Sequence, residues 1–139
     1  MSVTTAGSSR VVGLIFSYLQ KLKRKEVLPM ETRPYVSWDL MNSFLIDAFK
    51  GYGVPGEDAK ICADVLLESD RRGIESHGCN RFKPIYIDRI LNGTLKPVTE
   101  IEILKDTPTT VVMDAHDGMG MVASKKAMDM AIEKAKKYH

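Results

Sequence analysis

The sequence predicts an α/β chain in the order ααα-ββ-α: a three-helix subdomain, two strands, then a long helix. Two observations carry this. Between residues 38 and 91, apolar side chains recur at helical spacing, broken by Gly- and Pro-bearing turns. From residue 100 to residue 113 the pattern becomes short apolar and β-branched runs around a Thr-Pro turn, before helical spacing returns. Two strands make a poor sheet alone, and the last helix runs into Lys-Lys-Tyr-His without a stop signal. The expectation is a chain cut in the middle of an α/β domain.

Residues 1–34 read as a leader and linker of unknown role. Residues 11–19 (VVGLIFSYL) are apolar and residues 21–25 (KLKRK) basic. The apolar stretch falls far short of the roughly 20 residues that span a bilayer. A secretory signal carries its positive charge before the apolar stretch, not after it. Val11, Ile15, Tyr18, Leu19 and Leu22 fall at helical spacing, which suits a short amphipathic helix at a membrane surface. An irregular extension or a packing helix is the simpler reading. Pro29 and Pro34 mark a linker, and the main domain is placed from about Tyr35.

Ser37 is positioned to cap a first helix over residues 38–50. Trp38, Met41, Phe44, Leu45 and Ala48 form its apolar face, and Gly51 and Gly53 end it. Val54-Pro55-Gly56 makes a turn. Glu57 and Asp58 then place negative charge on the first turn of a second helix reaching about residue 72. Ile61, Cys62, Val65, Leu66 and Ser69 share one face of it; Asp64, Glu68 and Arg72 share another, with Glu68–Arg72 a favourable pair. Residues 73–78 (GIESHG) form a loop. A third helix is expected over residues 80–91, with Pro84 confined to its first turn because an interior proline would break it.

Residues 100–104 alternate, with Ile101 and Ile103 facing one way, and Asp106-Thr107-Pro108 signals a turn. Residues 109–113 (TTVVM) make a second, β-branched strand. A last helix over residues 121–137 combines an apolar face with a lysine-rich one, and its terminal lysines suit the helix dipole.

Composition excludes several function classes. With 139 residues, 44% hydrophobic and 27% charged, the chain can bury the core of one globular domain. A net charge of +2 is too small for a nucleic-acid binder. Six basic side chains against Glu26 and Glu31 sit in residues 1–33, leaving the body mildly acidic and without a basic stripe. No nucleic-acid or membrane partner is expected. Cys62 and Cys79 make neither a disulfide framework nor a metal-ligand spacing, which points to a reduced, cytoplasmic setting and no metal.

The densest polar cluster, residues 70–81 (DRRGIESHGCNR), joins the second and third helices. His77 lies between Ser76 and Gly78 in a loop, a common place for function. Imidazole titrates near neutrality and can exchange a proton with a carbonyl or alcohol oxygen. Arg81, one helical turn on, could grip a carboxylate with two prongs, and the Ser76 hydroxyl could orient substrate or imidazole. The competing structural reading has Ser76 capping the third helix, His77 solvated, and Arg81 paired with Asp70 or Glu75.

The run of residues 63–78 (ADVLLESDRRGIESHG) with Arg81-Phe82 resembles the signature of the malate/L-lactate dehydrogenase family. Supporting matches are Gly53-Val54-Pro55 with Glu57-Asp58-Ala59, Ile87-Asp88-Arg89 followed by Gly93, and Asp114 followed by Gly118-Met119-Gly120. This family also includes ureidoglycolate, sulfolactate and diketogulonate enzymes, and differs from the Rossmann-fold lactate and malate dehydrogenases. The resemblance runs from about Val36 to the end. It implies a 2-hydroxy or 2-oxo acid as substrate and NAD or NADP as cofactor. His77 would be the catalytic proton donor and acceptor, with Ser76 and Arg81 contacting substrate and Tyr86 a weaker candidate. Family members tend to carry Arg-Phe-Pro-x-Tyr; this chain carries Arg-Phe-Lys-Pro-Ile-Tyr, one residue longer. Members are also much longer, and their site is usually completed by later residues and a dimer partner.

Residues 118–123 (GMGMVA) fit G-x-G-x-x-A between a strand and a helix, as a dinucleotide fingerprint should. No βαβ partner strand precedes them, and Asp114 and Asp117 would repel phosphates, so a tight helix-on-strand turn is the simpler role. His116 between those aspartates cannot easily surround a metal from one turn. The eight methionines are most simply core filler.

The resulting expectation is an N-terminal portion. Residues 35–97 form a helical subdomain carrying the Ser-His-Gly loop, and residues 98–139 begin a truncated cofactor domain. The function expected is oxidoreduction of a 2-hydroxy acid in a homodimer. The rival is a truncated, non-catalytic dimerisation or interaction module.

Overall fold

A computed structural model describes residues 35–138; the leader, with its apolar run and KLKRK, lies outside the described residues. The chain divides into the units Met1–Ser37 and Trp38–His139, and every element below belongs to the second. Helix α1 (Trp38–Gly51) packs against α2 (Gly56–Arg71). Two 3-10 turns (Glu75–His77, Cys79–Arg81) and a π-helical segment (Phe82–Ile87) lead into α3 (Asp88–Leu91). Strands β1 (Glu102–Asp106) and β2 (Val111–Asp114) form an antiparallel hairpin, and α4 (Gly120–Tyr138) closes the order by packing on α2. The chain is mostly helical with one small two-stranded sheet.

The core centres on Leu45 and Phe49 of α1, Ala59, Cys62, Ala63 and Leu66 of α2, and Met119 and Val122 at the start of α4. Phe49 is fully buried and receives the ring edges of Phe82 at 4.9 Å and Tyr86 at 6.2 Å. The buried stripe of α1 therefore runs through Leu45 to Phe49, one turn apart, rather than starting at Trp38. Trp38 is 47% exposed, with the Arg71 guanidinium over its ring at 5.2 Å. On α2, Val65 also lies outside the core, at 41% exposed.

The expected third helix is a correction in kind. Residues 75–91 are helical almost throughout, but regular α-winding is confined to Asp88–Leu91. Pro84 has no N–H to give an α-helix, and a π-turn spends one extra residue per turn. The wide segment at Phe82–Ile87 sets both rings against Phe49.

The first strand is also displaced from residues 100–104 to Glu102–Asp106. The pairing slips between Ile103 and Lys105, so Leu104 is the extra residue of a bulge, which breaks the expected alternation. All five residues of β1, Ile103 and Leu104 among them, are exposed. The turn falls where Asp106-Thr107-Pro108 placed it: Thr107 donates its N–H to the Thr110 carbonyl at 2.9 Å, and its hydroxyl accepts the Thr110 N–H at 3.0 Å. Lys134 of α4 reaches Asp106 and the Thr107 carbonyl, tying helix to hairpin.

Before α4, residues 115–118 turn tightly, with His116 and Asp117 at positive φ. A Cβ on Gly118 would lie 2.9 Å from the Ala115 carbonyl oxygen and from Thr99 Cα, so only glycine allows this approach. The buried Met119 N–H donates to Thr99 Oγ1 at 3.0 Å. Thr99→Val keeps the shape but leaves that donor unsatisfied, and should cost about 1–3 kcal/mol, read as a lower urea midpoint at unchanged slope.

Candidate active site

The loop from Ile74 to Arg81 is wound so tightly that its polar groups turn onto one another. Helix α2 closes with the Ile74 N–H on the Ser69 carbonyl at 2.8 Å. A 3-10 turn then brings the His77 N–H to the Ile74 carbonyl at 2.9 Å. Ser76 Oγ and His77 Nδ1 are 3.0 Å apart. With Nδ1–H donating to the Ser76 hydroxyl oxygen, Nε2 is the nitrogen left to gain and lose a proton. His77 itself is exposed.

Arg81, half-buried, donates from Nε to the Ser76 carbonyl at 2.5 Å. That bond uses Nε and leaves the donors of the two terminal nitrogens. Arg81 therefore pairs with the loop backbone rather than with Asp70 or Glu75, and Ser76 sits inside a 3-10 turn rather than capping a helix. Tyr86 is held on Phe49 by its ring. Burial is the main cause raising its phenol above the ordinary value, opposed by the charges of Arg81 and Arg89, so the hydroxyl stays a donor at neutral pH. Ser76, His77 and Arg81 are joined by hydrogen bonds; Tyr86 is placed by its ring contact with Phe49.

Two partners escape a reading of the sequence. Asp70 Oδ2 accepts the Cys79 N–H at 2.8 Å, and Gly78 lies directly on that carboxylate. Burial, then the hydrogen bond from its sulfur to Asp70, pushes the Cys79 thiol up to about 12; burial does the same to Cys62, also to about 12. Both thiols should react with iodoacetamide at pH 8 about 100-fold or more slowly in the folded protein than after unfolding. The folded values lie above the unfolded one of about 8.5. Their contribution to stability is thus full below that pH and is lost as pH rises towards 12.

A groove of about 430 Å³ lies elsewhere, lined by Ile61, Asp64, Val65, Glu68, Ser69, Arg72, Ile74 and Lys125. Arg72 there pairs with Glu68 at 2.7 Å, and Lys125 with Asp129 at 2.5 Å. The Gly118-Met119-Gly120 turn does not fit a nucleotide pyrophosphate. Gly118 is used up in packing and the Met119 N–H is spent on Thr99. His116 contacts Glu102 at 3.1 Å, with Asp114 at 3.8 Å. Among the described residues no group of three or more His, Cys, Asp or Glu side chains is placed to hold a metal. No described helix is long and apolar enough to cross a membrane.

Comparison with known proteins gives this geometry a setting. The profile of the family described as malate/L-lactate dehydrogenase matches residues 36–139. The L-sulfolactate dehydrogenase of Methanocaldococcus jannaschii is 49% identical over 92 residues, covering 66% of this chain and 26% of that protein. The malate dehydrogenase of Pyrococcus abyssi is 44% identical over 99 residues, covering 71% and 27%. The crystal structure of malate dehydrogenase from Entamoeba histolytica superposes with a TM-score of 0.73 at 41% identity, covering 76% of this chain and 29% of that one. The chain thus spans about a quarter of the length of the curated relatives it matches.

Proposed function

The chain belongs to the malate/L-lactate dehydrogenase family, and on that premise we propose that it is the N-terminal part of an oxidoreductase interconverting a 2-hydroxy acid and its 2-oxo acid. The observation that carries this is the linked Ser76–His77–Arg81 constellation on a loop that two helices hold. His77 Nε2 gives a proton to the forming alcohol in reduction and takes it back in oxidation. Ser76 Oγ, accepting from Nδ1–H, keeps Nε2 as the nitrogen that exchanges this proton. Arg81 holds the substrate carboxylate through its terminal nitrogens, and the Tyr86 hydroxyl is a further donor to substrate.

NAD or NADP supplies the hydride in this reading. Ser76, His77, Arg81 and Tyr86 handle the proton and the carboxylate. Residues 98–139 begin the cofactor domain, and a homodimer completes the site.

The test is NADH and NADPH consumption by the protein isolated from its source, against pyruvate, oxaloacetate and sulfopyruvate. Substrate-dependent oxidation of either cofactor is the expected result. None with any 2-oxo acid would sink the reading. A second reading, an interaction module, draws on the exposed Ile103, Leu104, Val112, Met128 and Ile132. It predicts that those positions matter and His77 does not.

A further inference from the structure

We propose that Asp70 is the positioning residue of the His77 loop: its carboxylate, at the end of α2, anchors Gly78 and Cys79 and thereby fixes Ser76, His77 and Arg81. The catalytic consequence rests on the role proposed for His77; the anchoring itself does not.

Three observations point the same way. A carboxylate in the last turn of a helix faces the negative end of the dipole and is unfavourable there unless a partner offsets it. Asp70 has that partner in the Cys79 N–H at 2.8 Å.

Gly78 supplies the next. Its backbone, at φ −89° and ψ −150°, is open to any residue, so the conformation does not call for glycine. The carboxylate does: a Cβ on Gly78 would fall 1.7 Å from Asp70 Oδ1 and 2.2 Å from its Cγ. The loop can lie on Asp70 only because position 78 has no side chain.

The anchor then reaches the reacting groups through bonded contacts. The Gly78 carbonyl accepts the Arg81 N–H at 3.0 Å, Arg81 Nε holds the Ser76 carbonyl, and Ser76 Oγ meets His77. Releasing Gly78 and Cys79 frees both ends of that circuit. Asp70 touches no substrate in this arrangement and acts through the loop alone.

Amide hydrogen exchange at Cys79 and the ring resonances of His77, measured by NMR on the full chain, test this without turnover. Asp70→Ala should speed Cys79 exchange about tenfold or more and shift the His77 resonances. Asp70→Asn keeps an acceptor oxygen and should restore both. Gly78→Ala should push the carboxylate aside and reproduce Asp70→Ala, and combining the two should add little to Asp70→Ala alone. Cys79 exchange and His77 resonances unchanged in Asp70→Ala would overturn the proposal, as would fully additive effects of the two substitutions. Should Asp70→Ala fail to fold, a wild-type loop in Gly78→Ala overturns it equally. In the active enzyme, Asp70→Ala should lower kcat by about 100-fold, with recovery in Asp70→Asn. A wild-type protein without turnover would sink the role of His77 and leave the exchange data to judge Asp70.

Discussion

His77→Ala is expected to lower kcat for 2-oxo acid reduction by roughly 10²–10⁴-fold, the usual contribution of a positioned general acid. The fold should stay intact. His77 is exposed, and its ring bonds to Ser76, its own neighbour, so removal opens no cavity and strands no buried donor. The circular dichroism spectrum and melting temperature of the variant should match the wild type. His77→Gln should be nearly as inactive, because an amide has no proton to give at neutral pH. Ser76→Ala should cost less, since it removes the group that orients the ring and not the acid. A His77→Ala protein with wild-type kcat would mean that another group supplies the proton, and the tightly wound loop would need a different explanation.

The largest effect on stability is expected at Phe49. It is fully buried, and the rings of Phe82 and Tyr86 stand edge-on to it at 89° and 70°. Phe49→Ala should cost about 3–5 kcal/mol from lost burial and the cavity left behind. For a domain of this size that lowers the melting temperature by on the order of 10 °C or more. The consequence reaches the site, because Phe82 and Tyr86 belong to the π-segment directly after Arg81. Phe49→Leu fills part of the space and should cost much less. A melting temperature within about 2 °C of wild type for Phe49→Ala would show that the π-segment does not rest on this ring. The exposed pair Glu68–Arg72 is the opposite case: its 2.7 Å contact lies in solvent and contributes little.

What could be read in the sequence were features set by local spacing. Helices α1 and α4 fall within a residue of the ranges their apolar repeats gave. The hairpin turn sits at its Thr-Pro signal, and the polar cluster around His77 was visible as such. What could not be read depends on partners distant in the chain. Trp38 fits an apolar stripe, yet ends on the rim under Arg71. Alternation around Ile101 and Ile103 says nothing of a bulge at Leu104. Pro84 signals a break in regular winding, but not that residues 82–87 widen into a π-turn packed on Phe49. Asp70 looks like one more charge near a helix end. Its partner is a backbone N–H nine residues on, which no side-chain pattern announces. The four candidate site residues were all in the sequence; their mutual orientation was not.

The central claim is that this chain supplies the proton-transfer loop of an enzyme reducing 2-oxo acids. The most direct measurement follows a labelled hydride: the protein from its source is incubated with a 2-oxo acid and NADH or NADPH deuterated at C4 of the nicotinamide. The account predicts a 2-hydroxy acid carrying deuterium at C2, formed with the wild-type protein and almost abolished in His77→Ala. Product without deuterium at C2 from either face of the cofactor, or no product from the wild-type protein, would contradict it.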